Sequence, residues 1–367
     1  MDRRIKVLQI GKYYPPYKGG MENLLRDLCR ELKKQVDVEV IVANERPETT
    51  EEREPGLVIK RAATWFNYES TPVCPSLLWL VRKSQPDLIH LHLPNPVGVA
   101  AYLVSGFQGP LVVSYHSDNL RTNPFTEALG YLVHRVLKRA KAIIVSSERY
   151  VERSPVLSAH GEKCRVVPWG ISLDSFDQNH RLEVEEIRRK YGPNLLLAVG
   201  RLVPYKGFVH LIRALPQTAA RLVIIGTGPE RRKLESEIEG LKLQERAFLL
   251  GEVEDVVPYF QACDLFVLPS VNRAEAFGIV QLEAMACRKA VINTQIDSGA
   301  PSVSLDGVTG LTVPPENPEA LAKAINRLLQ DEELRAAYGK AARKRVESEF
   351  TLERMAGKTL EIYEAAL

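Results

Sequence analysis

Glu275 and Glu283 bracket the segment Glu275-Ala-Phe-Gly-Ile-Val-Gln-Leu-Glu283, with seven residues between the carboxylates. A helix starting near Gly278 would carry Glu283 in its first turns and leave Glu275 in the preceding loop. Phe277 and Gly278 would then present backbone N–H groups at the helix N-terminus. Carboxylates in that arrangement can accept hydrogen bonds from sugar or ribose hydroxyls, although two glutamates at such a spacing are also commonplace. Upstream, Val199-Gly200-Arg201-Leu-Val-Pro-Tyr205-Lys206-Gly207 puts two cations five residues apart in the loop after a strand. At the C-terminal edge of a parallel sheet, where ligands bind, two fixed cations could neutralise a diphosphate without a metal. Taken as a bare pair, they read sooner as two solvated loop cations. Near the N-terminus, Gly19-Gly20 opens a helix, where free N–H groups and the helix dipole favour an anion; a tight turn is the plainer reading. Gly226-Thr-Gly228 also follows a strand, but Arg231 occupies the third glycine position. The G-x-G-x-x-G dinucleotide fingerprint is therefore absent at both places, which disfavours an NAD oxidoreductase.

Short apolar runs alternating with helical patterns must position these groups. Ile5–Ile10, Val36–Val42, Leu88–His92, Leu111–Tyr115 and Ala142–Ser146 read as strands, and Glu22–Lys34 reads as a helix with Met21, Leu24, Leu25, Leu28 and Leu32 on one face. After Pro168-Trp169-Gly170 and a charged stretch, the pattern restarts with Leu195–Val199, Arg221–Gly226, Ala247–Leu250, Leu265–Leu268 and Ala290–Asn293. Near-continuous apolar strands between helices predict parallel sheets covered on both faces. The expected architecture is α/β, with doubly wound domains over about 1–172 and 190–349 and a linker at 173–189. Asn317-Pro318 reads as N-cap and first helical residue of a helix to Gln330. Further helices are expected over Glu332–Ser348 and about 350–367.

The 367 residues, 45% hydrophobic and 26% charged, have a globular composition that excludes disordered, collagen-like and disulfide-scaffold classes. No apolar run reaches the ~18 residues of a membrane span. The N-terminus runs straight into a strand, leaving no room for a signal peptide, and five scattered cysteines without C-x-x-C suit a reducing compartment. A cytoplasmic protein is expected. The net charge of +3 is uneven: residues 1–175 hold 24 Lys+Arg against 19 Asp+Glu, and the remainder 25 against 27. Nothing approaches the clustered basic stripe of a nucleic-acid binder. Arg26, Arg30 and Lys33 form a basic stripe on the first helix, which suits peripheral docking on an anionic membrane or a solvated face.

Together, these elements resemble the retaining glycosyltransferases of family 4. The resemblance rests on Gly-Gly after the first strand, G-R-L-x-x-x-K-G at 200–207, E-x7-E at 275–283, and Asp306-Gly-Val-Thr-Gly310-Leu-Thr-Val-Pro314-Pro315. It runs nearly end to end. It implies the GT-B fold: two Rossmann-like domains facing across a cleft, with the C-terminal helix packing back on the first. It further implies that Gly19 and Gly20 meet donor phosphates and that Arg201 and Lys206 bind the diphosphate. Glu275, with the Phe277, Gly278 and Ile279 backbone, would hold the donor sugar, and Glu283 the ribose. The base would lie near Gly200, Gly226, Gly228 and Val253. His116, in Val112-Val-Ser-Tyr-His116-Ser-Asp118, matches the family's histidine near the transferred sugar. Cys287-Arg288-Lys289-Ala290 and Ser298-Gly-Ala-Pro301-Ser-Val depart from the family's C-G-x-P and G-G-x-x-E.

His90 and His92 share one strand face, but no third ligand at recognisable spacing accompanies them, so no metal is expected. They would line the acceptor side instead. Asp118 would either hydrogen-bond an acceptor hydroxyl or cap a helix. The implied activity is metal-independent transfer of a hexosyl unit, with retention, from a UDP- or GDP-sugar to a hydroxyl of a saccharide or lipid-linked acceptor. Two alternatives on the same fold are a nucleotide-sugar epimerase and a non-catalytic sugar-nucleotide-binding protein.

Overall fold

A computed structural model describes residues 3–17, 19–68, 71–117 and 124–367, with the side chains of 124–128 left aside. The chain divides into two compact units, residues 1–170 with 352–367, and residues 171–351.

The strands of the first unit are β1 (Lys6–Ile10), β2 (Asp37–Ala43), β3 (Thr50–Glu54), β4 (Leu57–Ala62), β5 (Phe66–Tyr68), β6 (Thr71–Val73), β7 (Leu88–Leu93), β8 (Leu111–Tyr115), β9 (Ala142–Val145) and β10 (Cys164–Val166). Eight of them form one sheet in the order β10-β9-β8-β7-β1-β2-β4-β3, with β5 and β6 pairing separately. Every pair in the large sheet is parallel except β3–β4. Central strands buried on both faces read as unbroken apolar runs, as Leu88–Leu93 does. β3 (Thr-Glu-Glu-Arg-Glu) is largely exposed at the sheet edge, where its charges discourage further strand pairing. Helix Gly20–Leu32 begins two residues before the predicted start and buries Leu24, Leu25, Leu28 and Leu32. The last helix, Leu352–Ala366, belongs to this unit and buries Met355, Leu360 and Tyr363.

The second unit holds β11 (Leu195–Val199), β12 (Arg221–Ile225), β13 (Ala247–Gly251), β14 (Leu265–Leu268), β15 (Ala290–Thr294) and β16 (Gly310–Val313). They form a wholly parallel sheet in the order β13-β12-β11-β14-β15-β16. The predicted linker needs correcting. Arg181–Tyr191 is a helix that buries Ile187 and Tyr191, and Asp177 is gripped by both terminal nitrogens of Arg343 at 2.8 Å. Its charges are the solvated face of an amphipathic helix. Asn317 caps helix Pro318–Gln330 by accepting from the Ala320 N–H, as the Asn-Pro pair predicts.

Each sheet reverses its direction of growth once, between β1 and β7 and between β11 and β14. The crevice beyond the strand ends at such a reversal is where open α/β sheets bind ligands.

Candidate functional site

In the second unit the loops after β11 and β14 meet at that reversal. The Val271 N–H donates to the Tyr205 carbonyl at 2.8 Å. Gly207 has φ +66°, and a Cβ there would fall 2.1 Å from the Pro269 carbonyl oxygen, so only glycine lets the loops touch. Lys206 Nζ donates to Glu275 Oε2 at 2.5 Å, and Ser270 Oγ donates to the same oxygen at 2.9 Å. Lys206 and Glu275 are each 7% exposed. Burial pulls the Lys206 pKa down, but Glu275 more than offsets this and the net shift is upward. Lys206 is therefore a cation at every working pH. Arg201 is exposed on the same loop and has no ion-pair partner among the described residues. The site thus holds one free cation beside one already neutralised, rather than the two independent cations that the spacing suggests.

Gly278 takes φ +74° and turns the chain into helix Val280–Ala286, two residues later than predicted. Phe277 and Ile279 flank this turn. Gln281 ties the turn down: its Nε2 donates to the Phe277 and Ala300 carbonyls and its Oε1 accepts from Asn293. The Gly299 N–H donates to the Ala276 carbonyl at 2.9 Å, so the segment departing from G-G-x-x-E is part of the same cradle. Ser270 and Asn293 lie outside the motifs, and Gln281 lies inside the Glu275–Glu283 segment without being one of its marked positions.

Glu283 stands half-buried in the first turn of that helix. Burial raises its pKa from the usual 4.5 to about 7, opposed by the Lys206 charge. The folded protein therefore holds this proton between about pH 4.5 and 7, where the unfolded chain releases it, so stability falls as pH rises through that window and levels above it. Glu283→Gln is expected to remove the decline and to gain on the order of 2 kcal/mol at pH 8. Urea unfolding at pH 5 and pH 8 measures this, and an undiminished decline in the variant rejects it.

Gly200, Gly226 and Gly228 line the edges of β11 and β12, and Val253 lies half-buried after β13. The Gly226 N–H donates to the Gly251 carbonyl at 2.7 Å and the Gly200 N–H to the Ile225 carbonyl at 2.9 Å. Three loops are thus laced together backbone to backbone.

In the first unit, Gly19 is the N-cap of helix Gly20–Leu32 and has no side-chain cap. The buried Glu22 carboxylate stands over it, 2.1 Å from where a Cβ would project. An anion at this helix start would repel Glu22, so phosphate binding by the Gly19 and Gly20 N–H groups requires that side chain to turn away. His116 follows β8 and is 5% exposed, and burial lowers its pKa to about 4. With His92 it lines a small pocket shared with Gly11, Tyr13, Glu22 and Pro94. His92 Nδ1 lies 3.0 Å from His116 Nε2, and His92 Nε2 lies 2.9 Å from Gln9 Oε1.

His90 corrects the sequence reading. It is fully buried, with Nδ1 2.6 Å from the Tyr363 hydroxyl and Nε2 2.8 Å from Ser114 Oγ. Neither nitrogen is left for an acceptor, because the last helix brings the Tyr363 hydroxyl over one and the neighbouring strand brings Ser114 to the other. Among the described residues no group of three or more His, Cys, Asp or Glu could hold a metal ion. The basic stripe is also reduced. Arg26 pairs with Asp27 and Lys33 with Glu54, each at 2.7 Å, leaving Arg30 exposed. Asp118 lies outside the described residues. Among those residues no helix is long and apolar enough to cross a membrane.

Two family profiles and several known proteins match the chain. The Glycosyltransferase Family 4 profile matches residues 18–175, and the Glycosyl transferases group 1 profile matches residues 181–345. The D-rhamnosyltransferase WbpZ of Pseudomonas aeruginosa is 31% identical over 95% of this chain and 92% of its own. The O-antigen chain mannosyltransferase C of Escherichia coli is 30% identical over 99% of each. Among solved structures, a sucrose-phosphate synthase from Thermosynechococcus elongatus superposes with a TM-score of 0.83 at 24% identity, covering 99% of both chains. HepE of Anabaena, in complex with UDP-glucose, superposes with a TM-score of 0.81 at 20% identity over 98% of this chain and all of its own. These structures share the fold of two Rossmann-like domains. Matched along nearly its whole length by transferases of one family, the chain is a GT-B glycosyltransferase and belongs to glycosyltransferase family 4.

Proposed function

We propose that this glycosyltransferase moves a hexosyl unit, with retention and without a metal, from a UDP- or GDP-sugar to a hydroxyl of a saccharide or lipid-linked acceptor. The observation that carries the reading is the buried Lys206–Glu275 pair beside the exposed Arg201 at the β11/β14 reversal. Arg201 and Lys206 stabilise the charge developing on the departing diphosphate. Glu275, fixed by Lys206 and Ser270, turns its remaining oxygen to donor-sugar hydroxyls. Glu283, largely protonated below about pH 7, both accepts from and donates to a ribose hydroxyl. No side chain in these motifs is an obvious nucleophile. That favours front-face displacement, in which a leaving phosphate oxygen takes the acceptor's proton. The enzyme works at polysaccharide or glycolipid assembly, on the precedent of the O-antigen and rhamnosyl relatives, and it meets its lipid-linked acceptors at a membrane surface.

A thermal-shift panel of UDP-, GDP- and ADP-sugars tests the donor class. A ligand that binds the folded state stabilises it by RT ln(1 + [L]/Kd), about 2.7 kcal/mol at a hundredfold excess over Kd. One nucleotide sugar is expected to stand out, with no change on adding EDTA. A flat response across the panel rejects the reading.

A further inference from the structure

A line of buried polar side chains crosses the first unit from the last helix to His116. Gln9, His90, His92, Ser114, His116 and Tyr363 are all between 0 and 7% exposed. Gln9 Nε2 donates to the Tyr363 hydroxyl at 2.8 Å, so that oxygen's own proton is left for its other neighbour, His90 Nδ1, at 2.6 Å. His90 then carries its proton on Nε2 and donates to Ser114 Oγ at 2.8 Å. At the other end of Gln9 the carbonyl Oε1 can only accept, so His92 donates from Nε2. Burial keeps His92 neutral. Its Nδ1 is therefore an acceptor, and the proton between the two imidazoles belongs to His116 Nε2. What remains is His116 Nδ1, a buried lone pair with no hydrogen-bond partner.

We propose that Tyr363, Gln9 and His92 form a positioning relay that fixes His116 as its Nε2–H tautomer and presents the Nδ1 lone pair to a hydroxyl donor of the substrate sugar. The assignment of that ligand rests on the reading of His116 given above; the relay itself does not. Tyr363 is the lock. Because its hydroxyl joins Gln9 to His90, the Gln9 amide cannot turn alone. Turning it requires the protons on all three histidines to change places, which would leave a buried N–H at His116 Nδ1 and repel no acceptor but welcome no hydroxyl proton. The residue that decides the chemistry of His116 thus lies 247 positions away along the chain, on helix Leu352–Ala366. Buried networks of this kind hold their order because an unmade bond leaves a desolvated polar group unpaired.

The test uses full-length protein with 15N-labelled histidine. The wild type is expected to show His90, His92 and His116 all as neutral Nε2–H tautomers near pH 7, read from two-bond correlations to the ring carbons' protons. An Nδ1–H form at His92 or His116 overturns the relay without any variant being made. Tyr363→Phe is then expected to give a mixture of tautomers at His116 and to weaken binding of the preferred nucleotide sugar about 5–20-fold, while the bare nucleoside diphosphate binds as before. A His116 that stays Nε2–H in Tyr363→Phe overturns Tyr363 as the lock. A changed tautomer with unchanged nucleotide-sugar affinity overturns the sugar as its ligand, and unaltered nucleoside-diphosphate binding shows separately that the donor reading of the second unit stands.

Discussion

Lys206→Ala is expected to lower kcat by about 10²–10³, the usual loss on removing one electrostatic donor to a developing oxyanion, and to destabilise the second unit as well. Treated as a solvated loop cation, Lys206 would be removable without harm to the fold. The structure alters that expectation, because Glu275 is buried against it and keeps only Ser270 when the ammonium is gone. Breaking a buried pair by removing one partner costs about 3–5 kcal/mol. For a unit of this size that lowers Tm by on the order of 10 °C. The two effects separate in the double variant Lys206→Met/Glu275→Gln, which leaves no unpaired charge. It is expected to regain most of the Tm and none of the turnover. Calorimetry beside steady-state kinetics makes the comparison, and near-normal kcat in Lys206→Ala would remove Lys206 from the leaving-group role.

Gly226→Ala should be among the most damaging single-methyl changes in the second unit. Gly226 has φ +143°, and a Cβ there would lie 2.0 Å from the Gly200 carbonyl oxygen. Backbone cannot yield as a side-chain tip can. The loops after β11 and β12 would have to part, breaking the Gly200–Ile225 and Leu202–Thr227 hydrogen bonds between main chains. A loss of about 4 kcal/mol or more is expected, in the range reserved for steric and backbone conflicts. Nucleotide-sugar affinity should fall below detection. Gly240→Ala is the control, since a Cβ there meets nothing within 4 Å; it should shift stability by less than about 1 kcal/mol. Equal behaviour of the two variants in urea unfolding would show that the Gly200–Gly226 approach is dispensable.

The strands that sequence reading found and those it passed over differ for a physical reason. Leu195–Val199, Leu265–Leu268 and Leu111–Tyr115 are buried on both faces, so each position is apolar and the run stands out. Leu57–Ala62 carries Lys60 and Arg61, because Lys60 reaches the Glu39 carboxylate and Arg61 reaches Glu52. Thr50–Glu54 has no apolar residue at all. β4 owes its place to pairing with β2, and β3 to pairing with β4, and pairing leaves no local mark. The charged stretch before Tyr191 conceals its helix for the converse reason. Its helix buries only Ile187 and Tyr191, too few apolar positions to outweigh seven charged neighbours in a linear scan.

The chemistry-bearing residues divide along the same line. The two glutamates at 275 and 283, the Arg201–Lys206 spacing and the paired glycines are legible because each is a local pattern after a strand. Family 4 membership follows from them in order. Sequence could not say that Lys206 and Glu275, 69 residues apart, spend their charges on each other, or that His90 is sealed in the core while His116 keeps one nitrogen free. The order of strands decides both. A parallel sheet that reverses between β11 and β14 brings two distant loops together, and a last helix laid over the first unit brings Tyr363 to Gln9. The uneven charge of the two halves settled none of it, since the site works through a few buried groups whose fields local burial strengthens and solvent screens elsewhere. Residue type and spacing determined which groups the protein has available; tertiary contact decided which of them are free to act.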